Sequence, residues 1–252
     1  MPLAGRHALV TGGGRGIGRA VAKALTGAGV RVSVTGRAEA PLRETVAAGD
    51  AAFHAIADVR DAAAVREAVA AAEKALGPVD ILVANAGQAA SSAFAKGDAA
   101  IFQKMFDVNV MGVVHAGQAV LPGMLERGWG RIINIASIAG LKGMSYVTAY
   151  CAAKHAVVGL TRALAHEVAT KGVTVNAVCP GYVETDMVAV GLDNIAAKTG
   201  RPREEGLAAM IKDNPQKRLI AVDEVAAACL WLASDGAAAV NGAAIPITGG
   251  EI

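Results

Sequence analysis

Aromatic side chains make up only 4% of this 252-residue chain, so its interior has to be filled with Ala, Val, Ile and Leu. An excess of one charge sign is missing too: 24 Lys and Arg face 22 Asp and Glu, and no basic stripe is interleaved with aromatics. Both features argue against a nucleic-acid partner. The three cysteines, Cys151, Cys179 and Cys229, are an odd number without C-x-x-C spacing, which argues against a disulfide framework and a structural zinc site. They read as small packing residues. The five histidines lack metal-ligand spacing with a carboxylate, so no metal is expected. A reducing cytoplasm suits such a thiol inventory, and a cytoplasmic location is expected. The longest apolar run near the C-terminus, residues 225–233, falls far short of the roughly 20 residues of a membrane span. His7-Ala8-Leu9-Val10 reads as a first strand rather than part of a signal peptide, and no membrane partner is expected.

What is abundant is small and apolar. Hydrophobic residues reach 54% and charged ones 18%, a balance that suits parallel strands buried on both faces by helices. The length allows a three-layer core in one domain. Residues 7–10, 30–35, 53–57, 79–84, 131–136, 173–178 and 243–248 read as β-branched strands. Helices are predicted over about 17–28, 41–48, 62–76, 102–127, 147–170 and 223–234, with Asp61 and Asp223 as N-caps and Gly77 and Gly172 as C-terminal stops. This alternation predicts an α/β fold of Rossmann type: a doubly wound, seven-stranded parallel sheet in three α/β/α layers, one domain over residues 1–252. Residues 185–218 break the rhythm and are expected to form a partly helical substrate lid.

After the first strand, Thr11-Gly12-Gly13-Gly14-Arg15-Gly16-Ile17-Gly18 opens directly into a helix. Glycines there let the backbone take positive φ and let a pyrophosphate approach the amides, while the helix N-terminus supplies partial positive charge. The spacing is G-x-x-x-G-x-G rather than G-x-G-x-x-G, and a turn that binds nothing is the alternative. The second strand ends Val34-Thr35-Gly36-Arg37, with no carboxylate before Glu39 to take a ribose 2′-hydroxyl. Arg37, joined by Arg15, instead suits a 2′-phosphate through forked, charge-assisted contacts. NADP(H) is therefore favoured over NAD(H), with solvated arginines as the alternative.

Tyr150 and Lys154 lie four apart in a helical segment, so both project from one face. A phenol has a pKa of about 10, and an adjacent ammonium lowers it by roughly 1 to 3 units. That would make Tyr150 an acid or base near neutrality. Ser137 ends the fifth strand and puts a hydroxyl at the carboxyl edge of the sheet, where open α/β sheets bind ligands; capping the next turn is the alternative. Asn109 sits within a predicted helix, where an Asn ordinarily satisfies neighbouring backbone.

Taken in order, Thr11-Gly12-x-x-x-Gly16-Ile17-Gly18, Asn85-Ala86-Gly87, Asn109, Ser137, Tyr150-x-x-x-Lys154 and Pro180-Gly181 resemble the short-chain dehydrogenase/reductase family over almost the whole chain. Two departures are Ala84 where Asn is usual before Asn85-Ala86-Gly87, and Thr248 where Asp is usual before Gly249-Gly250. The resemblance implies that Tyr150 is the general acid in reduction and that Lys154 holds the nicotinamide ribose and lowers the tyrosine pKa. Ser137 would hydrogen-bond the substrate oxygen, and Asn109 would hold a water linking Lys154 to solvent. Cofactor contacts are implied for Gly12, Gly14, Arg15, Gly16, Ile17, Gly18 and Arg37, for Asp58 and Val59 at adenine, and for Asn85, Ala86 and Gly87. Pro180, Gly181, Val183 and Thr185 would position the nicotinamide amide.

The expected reaction interconverts a ketone and a secondary alcohol by hydride transfer, with Tyr150 as acid or base. The pocket walls, residues 185–218, 88–94 and 138–144, mix apolar side chains such as Met187, Val190 and Leu192 with Lys198, Arg201 and Arg203. Those cations either meet a carboxylate or coenzyme A phosphates, or face solvent. The resemblance points to a small-molecule ketone, a 3-oxoacyl thioester or a polyketide-like carbonyl. An NAD-dependent alcohol or 3-hydroxy-acid dehydrogenase is the alternative. A non-catalytic cofactor-sensing module is another, against which the set Asn109, Ser137, Tyr150 and Lys154 speaks. Small residues in the 102–127 and 147–170 helices, Gly112, Ala116, Gly117, Ala152, Ala156 and Gly159, permit close helix packing, and the resemblance implies a homotetramer built on them.

Overall fold

Successive strand residues point to opposite faces, and this alternation divides the interior into two cores. The computed structural model describes residues 3–200 and 202–252, apart from the side chains of residues 194, 195, 198 and 199. Its strands are β1 (His7–Thr11), β2 (Arg31–Gly36), β3 (Phe53–Ile56), β4 (Ile81–Ala84), β5 (Gly130–Ile135), β6 (Val173–Pro180) and β7 (Ala244–Ile247). All pair in parallel, in the order β3-β2-β1-β4-β5-β6-β7. Ala8, Val10, Ile81, Val83 and Ile133 face a core shared with α1 (Gly16–Gly27), α2 (Glu39–Ala47) and α9 (Val222–Ala233). Leu9, Leu82, Ala84, Ile132 and Val175 face a second core, shared with α3 (Ala62–Leu76), α5 (Gly112–Arg127) and α6 (Thr148–Val168). The order of the strands reverses between β1 and β4, so their following loops diverge and leave a crevice at the carboxyl edge.

Helix ends follow local chemistry. Asp61 caps α3 as expected, its carboxylate accepting from the N–H groups of Ala63 and Ala64 at 2.8 and 3.2 Å, and Gly77 ends that helix at φ +84°. Asp223, by contrast, is not a cap. α9 starts at Val222 because Glu224 reaches back to the Ala221 N–H at 2.8 Å, which leaves Asp223 inside the first turn. Nor does Gly172 stop α6, which ends at Val168. With φ +73° it pivots the chain into β6, where any Cβ would collide with the Gly128 carbonyl.

The helix predicted over 102–127 is three pieces end to end: α4 (Ala100–Phe106), a π-turn (Asp107–Met111) and α5. By length and composition this 28-residue run is apolar enough to cross a membrane, yet Met105, Val113, Val120 and Met124 are buried within the fold. Residues 185–218 carry α7 (Asp186–Thr199) and α8 (Arg203–Ile211). Of the small residues expected to pair helices between subunits, Gly112, Ala116 and Gly117 are buried inside the chain, whereas Ala152 and Gly159 are exposed. Gly112 and Ala116 serve intrachain packing: a Cβ on Gly112 would stand 2.8 Å from a Val59 methyl, and Ala116 lies in the second core, whereas a Cβ on Gly117 would meet nothing within 4 Å.

Candidate active site

Thr11 ties β1 to β4 at the crevice. Its hydroxyl accepts from the N–H groups of Asn85 and Ala86, both at 3.0 Å, and Asn85 Nδ2 donates to the Thr11 and Gly12 carbonyls at 2.9 and 3.2 Å. The amides of Gly12 and Gly13 are used on the Thr35 carbonyl at 2.7 and 3.2 Å. Donors for an anion therefore come from the opening turn of α1, which has neither a side-chain cap nor an acidic residue in its first turn. Gly18 lets that turn close on the loop, since a Cβ would collide with the Gly12 carbonyl and lie 2.5 Å from Asn85 Nδ2. An uncapped helix end against a bare glycine loop fits a diphosphate. Thr185 is brought to the same place, its methyl 3.3 Å from where Gly16 would carry a Cβ.

Beyond the loop, Arg15 at the start of α1 and Arg37 just past β2 are exposed. Among the described residues neither makes an ion pair. Asp58, just past β3, is held by Arg60: Nε lies 3.0 Å from both carboxylate oxygens and Nη2 lies 2.6 Å from one of them. The Arg60 hydrogen bonds, with a smaller contribution from the Arg37 charge, hold the Asp58 carboxyl below its ordinary range. Val59 is buried and its carbonyl meets His115 Nδ1 at 2.8 Å. Asp58, Arg60, Asp107, Met111 and His115 line an open cleft of about 550 Å³.

At the other end, Ser137, Tyr150 and Lys154 come together. Lys154 Nζ stands 5.7 Å from the centre of the Tyr150 ring. Ser137 Oγ accepts from the Ala139 N–H at 3.1 Å and is near enough to the phenol to favour its charged form, so its capping and ligand-facing readings are compatible. The titration of the pair differs from expectation. Burial pushes the Tyr150 phenol up to about 12, with Ser137 offsetting part of the rise. Burial likewise brings the Lys154 ammonium down to about 8. Lys154 donates to the Ile135 carbonyl at 2.8 Å, and at the phenol desolvation outweighs any lowering by its charge.

Asn109 is anchored on the loop after β4 and on its own helix. Its amide donates to the carbonyls of Gln88 and Met105 at 2.9 and 3.0 Å and accepts from the Gln88 N–H at 3.1 Å. The side chain is committed to backbone. It clasps the loop after β4 over Lys154, with Gly87 wedged between: a Cβ there would sit 2.8 Å from Asn109 Oδ1 and 3.6 Å from Lys154 Nζ. Pro180 ends β6, the Gly181 N–H bonds the Ile247 carbonyl at 3.0 Å, and Val183 bridges to Ile220. These contacts pin the 180–185 segment beside the glycine loop.

Arg203 pairs with Asp193 at 2.5 Å on the surface, while the Lys198 side chain and Arg201 lie outside the described residues. A feature that sequence reading missed is the pair Lys142–Glu251, 2.7 Å apart, in which Glu251 is 4% exposed. Gly249 and Gly250, both at positive φ, turn the chain beyond β7 so that Glu251 lies against Gly181. Its available signal was the double glycine after the last strand.

A half-buried acid with a hydroxyl and an ammonium beside it, at one end of a crevice whose other end fits anions, is equipped to move a proton to or from a bound oxygen. The family model "short chain dehydrogenase" matches residues 6–194. Nodulation protein G of Azospirillum brasilense is 43% identical over 248 residues, covering 96% of both chains. A putative ketoacyl reductase of Streptomyces coelicolor is 41% identical over 249 residues, covering 96% of this chain and 95% of its own. Among solved structures, an actinorhodin polyketide ketoreductase variant with NADPH superposes with a TM-score of 0.93 at 40% identity, covering 98% of this chain and 97% of its own.

Proposed function

The chain belongs to the short-chain dehydrogenase family and is an oxidoreductase, and from that premise we propose that it reduces ketones with NADPH, acting on a 3-oxoacyl thioester or a polyketide-like carbonyl. The observation that carries this reading is the convergence of Ser137, Tyr150 and Lys154 at one end of the crevice that the α1 N-terminus opens. The ketoacyl reductase relative and the NADPH-bearing ketoreductase structure support the same choice of substrate and cofactor.

Bound there, the dinucleotide supplies the hydride. The first turn of α1 holds its diphosphate, and Arg15 and Arg37 meet the 2′-phosphate. Ser137 Oγ and Tyr150 Oη bind the ketone oxygen. Tyr150, whose phenol is kept protonated by a pKa of about 12, donates its proton to that oxygen as negative charge develops. Lys154 contributes positive charge while it remains protonated. The Asn109–Gln88 clasp keeps the wall of the crevice in place. Initial rates with linear 3-oxoacyl thioesters, cyclic ketones and secondary alcohols, each with both cofactors, test the reading. Turnover confined to alcohols with NAD would replace it by a dehydrogenase.

We also propose a homotetramer through α5 and α6. The exposed Ala152 and Gly159 leave α6 free to approach a second helix closely. Light scattering that returns a monomeric mass would remove this assembly.

A further inference from the structure

The rim of the crevice holds two aromatic residues that the fold does not need. Tyr146, four residues before Tyr150, is 68% exposed, and Phe94 is 73% exposed. In a chain with four Phe and three Tyr in all, one of each is left in solvent. Tyr146 is also held at φ +65°, a left-handed conformation costly for any bulky L-residue and easy for glycine. Its packing gives no return for that strain. Its carbonyl is tied down as well: the Ser92 N–H bonds the Tyr146 carbonyl at 2.8 Å, which joins the segment carrying Phe94 to the turn carrying Tyr146.

This rim is continuous with the reacting end of the site. Phe94 meets Phe102 edge to face, centroids 6.3 Å apart. Phe102 in turn packs with Met105, Ala149 and Ala153 in the small apolar cluster that includes Tyr150. Strain at an exposed residue beside a binding site is a pointer to use, and an aromatic ring favours a flat partner it can meet by stacking or by its edge.

We propose that Tyr146 and Phe94 are specificity-determining residues that grip an aromatic or fused ring carried by the substrate beyond its carbonyl. The proposal rests on the ketone-reductase reading and narrows it from ketones in general to ring-bearing ones. Tyr146 is kept in its strained backbone because a glycine there would supply no grip.

The test compares two methyl ketones that differ by a phenyl ring, 4-phenyl-2-butanone and butanone. In the wild type kcat/KM favours the ring. Tyr146→Gly and Phe94→Ala are each expected to lower that preference at least about ten-fold, mainly through KM, while Tyr146→Phe restores it. Tyr146→Gly should at the same time raise Tm by roughly 2–4 °C, since relief of left-handed strain stabilises a chain of this size. An unchanged preference in both truncated variants, or a Tm that falls in Tyr146→Gly, would overturn the assignment. Ligand-observed NMR of the same two ketones reads the rim without turnover. Ring-dependent binding without reduction overturns the reductase reading alone, whereas binding indifferent to the ring, or no binding, overturns the rim.

Discussion

Asn109 and Gln88 exchange two hydrogen bonds, amide N–H to carbonyl at 2.9 Å and backbone N–H to amide oxygen at 3.1 Å, which makes the π-turn and the loop after β4 one mechanical unit. Asn109→Ala removes both bonds and leaves the Gln88 backbone groups without these partners. A buried polar group left unpaired costs about 1–3 kcal/mol. The urea midpoint should fall accordingly, and cofactor affinity should weaken as the loop loosens. Equilibrium unfolding followed by circular dichroism checks the first effect; an unshifted midpoint would refute the clasp.

Tyr150→Phe keeps the ring and removes the hydroxyl. Ketone reduction should drop by about 100- to 10,000-fold, the range for a lost acid–base group, while NADPH affinity measured by fluorescence titration stays close to wild type. Retention of more than about a tenth of the rate would mean that another group moves the proton.

The pH dependence has a definite sign. Reduction requires a protonated Tyr150 and a charged Lys154. With Lys154 brought down to about 8 and Tyr150 raised to about 12, kcat/KM for reduction should be level at lower pH and fall above about 8 as Lys154 loses its proton. Alcohol oxidation needs the phenolate and should rise with pH. Lys154→Arg should carry the alkaline fall in reduction to higher pH, and a fall unmoved by that change would assign it elsewhere. Folding carries the same signature. The burial penalty on a charged Lys154 is present below about 8 and is relieved as pH rises from there toward its ordinary 10.5, whereas stability tied to Tyr150 is lost between its ordinary 10.0 and about 12.

Arg37→Ala should lower the ratio of kcat/KM for NADPH over NADH and leave NADH use nearly unchanged, because the lost guanidinium faces the 2′-phosphate alone. Steady-state kinetics with both cofactors decides it. An unaltered ratio would show Arg37 to be a solvated surface residue.

The sheet was legible because each strand is a short β-branched run buried on both faces, and the alternation of Leu9 with Ala8 and Val10 between two cores leaves that signature intact. Gly12 and Ser137 were legible as candidates for a related reason: each follows the end of a strand, where a parallel sheet presents its loops; Asp58, Asn85 and Gly181 came from the family resemblance alone. What stayed hidden depends on contacts between distant segments. The rise at Tyr150 comes from burial, which no i, i+4 spacing encodes. The cap of α9 is an Ala made serviceable by Glu224. Lys142 and Glu251 are 109 residues apart in the chain, and neither carries a local sign of the other. The strain at Tyr146 is visible only as a backbone angle.

The π-turn over Asp107–Met111 works as a vernier on the helix that contains it. An α-helix advances about 100° per residue, so the nineteen steps from Met105 to Met124 would leave those side chains about a quarter-turn or more out of phase in an unbroken helix. One extra residue taken up in a π-turn cancels that offset, and both methionines are fully buried. The helix thus carries two separately phased scales, one set by the α4–Asn109 end at the crevice and one by the α5 end in the core. Deleting a single residue between 107 and 111 would force the two scales into one, rotating either Asn109 away from Gln88 or the Val113–Val120–Met124 stripe away from the sheet.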